Sequence, residues 1–293
     1  MSAQSNQQQF KAHRTTSYLV KHGIGRTLLY LVLLAGMVVV AFPMFWLTTG
    51  SVKTESDLTN YPVIWIQSTW AWSNFQTLFD TVPFWTYFRN TVFITVCCVA
   101  GTTMSSSIVA YSFARLRFPF KNVLFILMLS TLMVPYFVIL IPQFIMFKDL
   151  GWLDSYAPLI VPWLFANPAY TFLLRQFFMT MPADMEDAAK IDGCGYFRTY
   201  WNIGLPMVRP ALIAVGAFAF LQNWNDFLAP LIYLQTPDNF TLQLGLAQLQ
   251  SQYSTHFDLI MAGSFLTVVP CIVLFFLVQR WFIQGIVVTG VKG

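Results

Sequence analysis

Charge is what this sequence has least of. Only 10% of its 293 residues are Asp, Glu, Lys or Arg, while 57% are hydrophobic and the mean hydropathy is +0.60. Soluble domains carry about 25% charged residues, so that class is excluded and an integral membrane protein is left. Cysteine and histidine are also sparse. Cys97, Cys98, Cys194 and Cys271 are unclustered, which excludes a disulfide framework and a zinc site. His13, His22 and His256 lack the spacing that metal binding or catalysis uses, so no metal and no catalytic residue is expected. The chain has no GxxxxGK[ST] phosphate loop, no HExxH and no GxSxG. Nor do ionisable groups recur near the centres of several apolar runs, as in proton-coupled carriers. If the protein moves a solute uphill, the energy comes from another chain.

What the sequence does have is length of apolar run. A span needs about 20 such residues, because a helix rises about 1.5 Å per residue through a hydrocarbon layer about 30 Å thick. Six stretches qualify, near 27–47, 88–114, 123–147, 157–178, 211–233 and 262–282. Helices are expected, since lipid offers the backbone no partners and the alternation of a membrane barrel is absent. Thirteen of the sixteen basic residues then fall on one face, leaving Lys53, Arg89 and Lys148 on the other. The positive-inside rule makes the crowded face cytoplasmic and puts both chain ends there. That asymmetry accounts for the net charge of +4, so nucleic acid is not implied. The first run is too long for a signal segment and lacks a small-residue cleavage site after it, and is expected to stay as an anchor. The expected division is a tail over 1–26, a membrane domain over 27–282 and a tail over 283–293.

Three segments interrupt this pattern. The connection from Gly50 to Tyr87 carries Trp65, Trp70, Trp72 and Trp85, with a helical pattern over Asn74 to Phe79. It reads either as an aromatic belt at the membrane surface or as a docking surface for an external partner. Pro135, Pro142, Pro158, Pro162 and Pro168 predict kinks in the third and fourth spans. In the fifth, Gln222-Asn223-Trp224-Asn225-Asp226 is a polar run, and helical spacing would put Gln222 and Asp226 on one face with Asn223 beside them. Asn223, Asn225 and Asp226 either line a path for a hydroxyl-rich solute, bond neighbouring helices or mark a helix end near the outer surface.

The longest charged connection between late spans, at about 182–206, is built as two short helices. Pro182 suits a first turn, Asp184, Glu186 and Asp187 favour the positive end of the helix dipole, and Gly193 is a natural stop. A second helix over Tyr196 to Ile203 offers Phe197, Tyr200 and Trp201 before Leu205-Pro206 turns the chain, and Pro210 opens the fifth span. Small alanines beside large aromatics make a knob that another protein can grip; an amphipathic helix on the membrane surface is the alternative.

Asp187-Ala188-Ala189-Lys190-Ile191-Asp192-Gly193, followed after eleven residues by Leu205-Pro206, resembles the EAA loop of bacterial ABC importer permeases. Asp187 stands where that family usually has Glu, with Glu186 one place earlier, and Cys194 replaces the usual Ala. The segments Ala110 to Pro119, Phe172 to Phe178, Asn223 to Phe227 and Gln279 to Gly293 are similar to those of carbohydrate importers, especially the smaller membrane subunit of the maltose importer and its relatives. The resemblance implies six membrane helices of the type I importer permease fold. It implies a coupling helix at Glu186, Asp187, Ala188, Ala189, Asp192, Gly193, Leu205 and Pro206 that seats in a cleft of an ATPase subunit, and a tail, Gly290, Val291, Lys292 and Gly293, that reaches toward it.

On that reading the chain is half of a sugar path in the cytoplasmic membrane of a bacterium or archaeon. A second homologous permease forms the other half, two ATP-binding subunits hold the ATP and Mg²⁺, and an external solute-binding protein delivers the sugar. This chain then binds no cofactor itself and is not an enzyme. A permease for a non-sugar solute and an ion-coupled secondary carrier are the rival readings.

Overall fold

Backbone that crosses lipid must satisfy its own hydrogen bonds, and every described secondary-structure element is a helix. The computed structural model describes the backbone of residues 2–65, 67, 69–250 and 256–290, and the side chains of residues 25–65, 67, 69–250 and 256–281. The main helices are α1 (Ser2–Gly50), α2 (Ser73–Thr81), α3 (Phe84–Arg115), α4 (Lys121–Ser130), α5 (Tyr136–Asp149) and α6 (Pro168–Met179). They continue with α7 (Ala183–Ile191), α8 (Tyr196–Thr199), α9 (Arg209–Trp224), α10 (Leu228–Tyr233), α11 (Leu242–Ala247) and α12 (Phe257–Gly290).

Four helical segments are long and apolar enough to cross a membrane: 25–50, 84–115, 157–179 and 257–281. Two bent pairs raise the number to six if each is one span. The first pair, Lys121–Met133 with Tyr136–Asp149, bends by 96° where the sequence predicts one kinked span over 123–147. Pro135 explains the break, because the residue before a proline is pushed out of the helical region; Val134 is extended, with ψ 115°. The second pair, Tyr196–Met207 with Arg209–Trp224, bends by 79°. The turn falls at Val208, not at Leu205-Pro206, because Pro206 lies in the first turn of a helical segment, Leu205–Met207, where its missing N–H costs nothing.

Helix α3 is the hub, packing along both α6 and α9. Small residues let the backbones close up, as polar and small side chains do where lipid supplies no driving force between helices. A Cβ on Gly101 would lie 3.1 Å from Leu164 Cα and 3.2 Å from Trp163 O. Farther along, Ser106 Oγ accepts the Asn167 N–H at 3.0 Å, and Asn167 itself caps α6 by accepting from Ala169 N and Tyr170 N. Two buried clusters form at the two ends of this hub. One holds Leu78, Tyr87, Phe147, Trp224, Tyr233 and Leu242; the other holds Tyr111, Leu174, Phe178, Tyr200, Val208 and Val215.

The basic residues follow these ends. Arg115, Arg117, Lys121 and Lys190 line one cleft, Arg175 Nε donates to Phe113 O, and Arg209 and Arg280 both lie over Trp281. This is the basic end. At the opposite end, Lys53 is fully buried: its Nζ donates to Ile64 O at 2.6 Å and lies 4.4 Å from the Trp46 ring centroid. Burial pushes its ammonium pKa down, against a smaller upward pull from Asp57.

Asp154 clasps the opposite end. It takes a left-handed conformation, φ +58°, from which its carboxylate accepts the N–H groups of Gln235 and Thr236 at 2.9 Å, the Thr236 hydroxyl and the Asn239 amide. The bonds from Thr236, then that from Gln235, hold its carboxyl well below the usual carboxylate range. Such a group stabilises the fold at all pH values above the ordinary carboxylate pKa, and the contribution is lost only as pH falls through the depressed value.

Two outcomes follow from this packing. Gly101→Val, which forces a branched side chain against backbone, should destabilise the α3 contact with 157–179 by roughly 1–3 kcal/mol, read as a lower thermal midpoint of the purified chain. Asp154→Asn keeps a residue tolerant of positive φ but removes the charge, so amide exchange at Gln235 and Thr236 should become several-fold faster at neutral pH. Unchanged exchange there would remove the clasp.

Candidate functional site

The connection at the basic end is ordered by its caps. Asp184 and Glu186 lie in the first turn of α7, where negative charge meets the positive end of the helix dipole. The helix stops in a Schellman motif: Cys194 N–H donates to Ala189 O at 2.8 Å and Gly193 N–H to Lys190 O at 3.0 Å. Gly193 has φ +76° and open space where a Cβ would be, so conformation, not crowding, demands glycine there.

The two adjacent carboxylates point to different tasks. Glu186 turns inward to Arg115, the last residue of α3, with Oε1 3.2 Å from Nε and each side chain 14% exposed. The Nε–H is not aligned for a hydrogen bond, so the attraction is coulombic. Tyr111 OH donates to the same oxygen at 3.4 Å, and the Arg115 guanidinium donates to Met181 O. Asp187 turns outward, 65% exposed, and pairs with Lys190 at 2.9 Å, three residues on. Ala189 is buried beneath α7 and Ala188 is exposed above it.

The second short helix repeats the division. After α8 the backbone widens into a π turn over Tyr200–Gly204. Tyr200 is buried, with its hydroxyl 2.6 Å from Ser107 Oγ on α3 and its ring packed on Tyr111 and Phe178. Outward stand Ile191 (88% exposed), Tyr196, Phe197 and Trp201, the last two stacked at 6.2 Å. Leu205 is half-buried; Asp192, Gly193 and Pro206 are exposed. A cleft of about 1020 Å³ opens between α7 and the connection from Arg115 to Lys121.

At the other end of the hub lies the polar run. The helix ends at Trp224 and resumes at Leu228, so Gln222 and Asp226 do not share a helix face as continuous spacing would have them. Gln222 accepts from Tyr170 OH at 3.1 Å, and Trp224 Nε1 donates to Thr267 O at 3.0 Å, both contacts between helices. Asn223 and Asn225 each donate to a carbonyl four residues back, and Asp226 accepts from Ala229 N at the start of α10. Asn223 and Asp226 face a cavity with Thr91 and Thr241 of about 10 Å³, room for one water. Asn225 is exposed, 3.4 Å from the Gln243 amide. The helix-end and inter-helix roles are therefore both present in this polar run.

The binding-protein-dependent transport system inner membrane component family matches residues 103–288, more than half of the chain. The chain belongs to that family. This inner membrane component is 36% identical over 258 residues to the arabinooligosaccharides transport system permease protein AraQ of Halalkalibacterium halodurans, covering 87% of this chain and 92% of the relative. It is 31% identical to the sn-glycerol-3-phosphate transport system permease protein UgpE of Yersinia pestis, covering 88% and 94%. A crystal structure of a bacterial ABC transporter involved in the import of the acidic polysaccharide alginate superposes with a TM-score of 0.78 at 20% identity, over 88% of this chain and 96% of that one, so the two share a fold.

Within this inner membrane component, α12 ends at Gly290, and Val291, Lys292 and Gly293 lie outside the described residues. Sequence reading missed Arg115, Tyr111 and the Ser107–Tyr200 bond. The available signal was an arginine at the very end of a span-length run with an acidic connection elsewhere on the same face.

Arg115→Gln removes the ion-pair partner of Glu186, and should lower stability by roughly 1–3 kcal/mol. The double variant Arg115→Gln/Glu186→Gln should recover part of that loss, measured by thermal unfolding of the purified chain.

Proposed function

We propose that this chain is a permease subunit of an ATP-driven importer for a sugar or a sugar-like solute such as a polyol or sugar phosphate. It spans the cytoplasmic membrane six times, each bent pair counting as one span, with both chain ends in the cytoplasm. It forms half of the translocation path, and a second related permease forms the other half. Two ATPase subunits bind ATP and Mg²⁺ on the cytoplasmic face, and an external binding protein delivers the solute. Names of relatives concerned with arabinooligosaccharides and glycerol-3-phosphate support the substrate class.

One observation carries the coupling role: two neighbouring carboxylates divided between anchor and display. Glu186 fastens α7 to the end of α3 through Arg115, and Tyr200 fastens the following turn to Ser107 on the same helix. Asp187, Ala188, Ile191, Phe197 and Trp201 are exposed toward an ATPase cleft. Movement of the ATPases is thereby applied to α3, the helix that packs on α6 and α9. ATP and the loaded binding protein drive the switch by favouring different states of the path. Asn223, Asn225 and Asp226 line the path in the state where it opens, and the tail Gly290–Gly293 touches the ATPase.

The test is Ala188→Trp. Because Ala188 is exposed, a bulky side chain should change stability by less than about 0.5 kcal/mol and leave membrane insertion normal. Uptake of the solute by cells should nonetheless fall more than about tenfold, with loss of ATPase subunits from the purified complex. Normal uptake alongside normal insertion would rule out α7 as the coupling element.

A further inference from the structure

We propose that Glu55, His256 and Asp258 form a binding site for a divalent first-row cation of the zinc class at the end of the molecule opposite the basic one. Glu55 opens a short helix, Glu55–Thr59, just after α1; His256 and Asp258 flank the first residue of α12. Sequence spacing hides the site because one ligand comes from the first connection and two from the last.

One ligand atom from each residue lies within 4.8 Å of those of the other two. An ion can sit within about 2.8 Å of all three such atoms, so modest rotation of exposed side chains reaches the roughly 2.0–2.2 Å that zinc takes with imidazole nitrogen and carboxylate oxygen. Glu55 and His256 are exposed and Asp258 is half-buried, so an ion can enter from solvent. Asp258 Oδ1 is itself buried and has no hydrogen-bond partner among the described residues. A buried polar atom without a partner calls for one, and a cation bound at this carboxylate supplies it.

The backbone that carries the ligands is held without the ion. Leu58 and Met261, each three residues from a ligand, both lie against Gly50 at the end of α1. The site is therefore presented by two packed segments. Imidazole with two carboxylates selects zinc-class ions over calcium and magnesium, which prefer all-oxygen shells. A bound ion ties the first connection to the start of the last span and stabilises the folded chain by mass action.

The full chain in lipid nanodiscs, stripped with EDTA, is titrated with ZnCl₂ by calorimetry, and its thermal midpoint is read with and without zinc. One zinc per chain and a raised midpoint are expected. His256→Gln, Glu55→Gln and Asp258→Asn should each weaken zinc binding by more than about tenfold and abolish the shift, while folding normally without zinc. The proposal fails if zinc does not bind, if it binds equally to the three variants, as it would at His13 or His22, or if CaCl₂ or MgCl₂ binds as tightly.

Discussion

Close approach of helices to α3 is the constraint on which the rest depends. Lipid gives apolar side chains no reason to leave it, so helices associate only where backbones come near enough for dispersion and hydrogen bonds to count. Gly101 against Trp163–Leu164 and Ser106 beneath the Asn167 cap supply that nearness. With α3 fixed between α6 and α9, its two ends become reference points. Arg115 and Ser107 hold the connection over 182–206 at one end; Asn90, whose amide donates to Asp238 O and Phe240 O, holds the opposite connection.

Irregular backbone is then placed where something satisfies it. The break after Trp224 is covered by the cap from Asp226 and by Gln243 on Asn225. The break before Pro135 leaves no buried residue on α4, and only Phe147 is buried on α5, so this bent pair is packed far less closely than α3.

Much of this was legible in the residues. Apolar length predicted helices near all six places, Gly193 marked the end of α7, Asn74 to Phe79 marked α2, and the distribution of Lys and Arg marked the two ends. Three things were not legible. The helical period continues through Asn225 and Asp226, and no glycine or proline marks the stop that the backbone makes at Asn225. Val208 turns the chain with no glycine or proline of its own. The inward choice of Glu186 over Asp187 is set by where Arg115 stands, a fact of three dimensions.

Helix α1 joins the bundle near its C-terminal end, where Phe42 and Trp46 meet Trp65 and Gly50 meets Met261, while its side chains from 25 to 45 are exposed throughout. Lipid or a neighbouring chain can therefore cover its exposed apolar length without displacing a residue of either buried cluster.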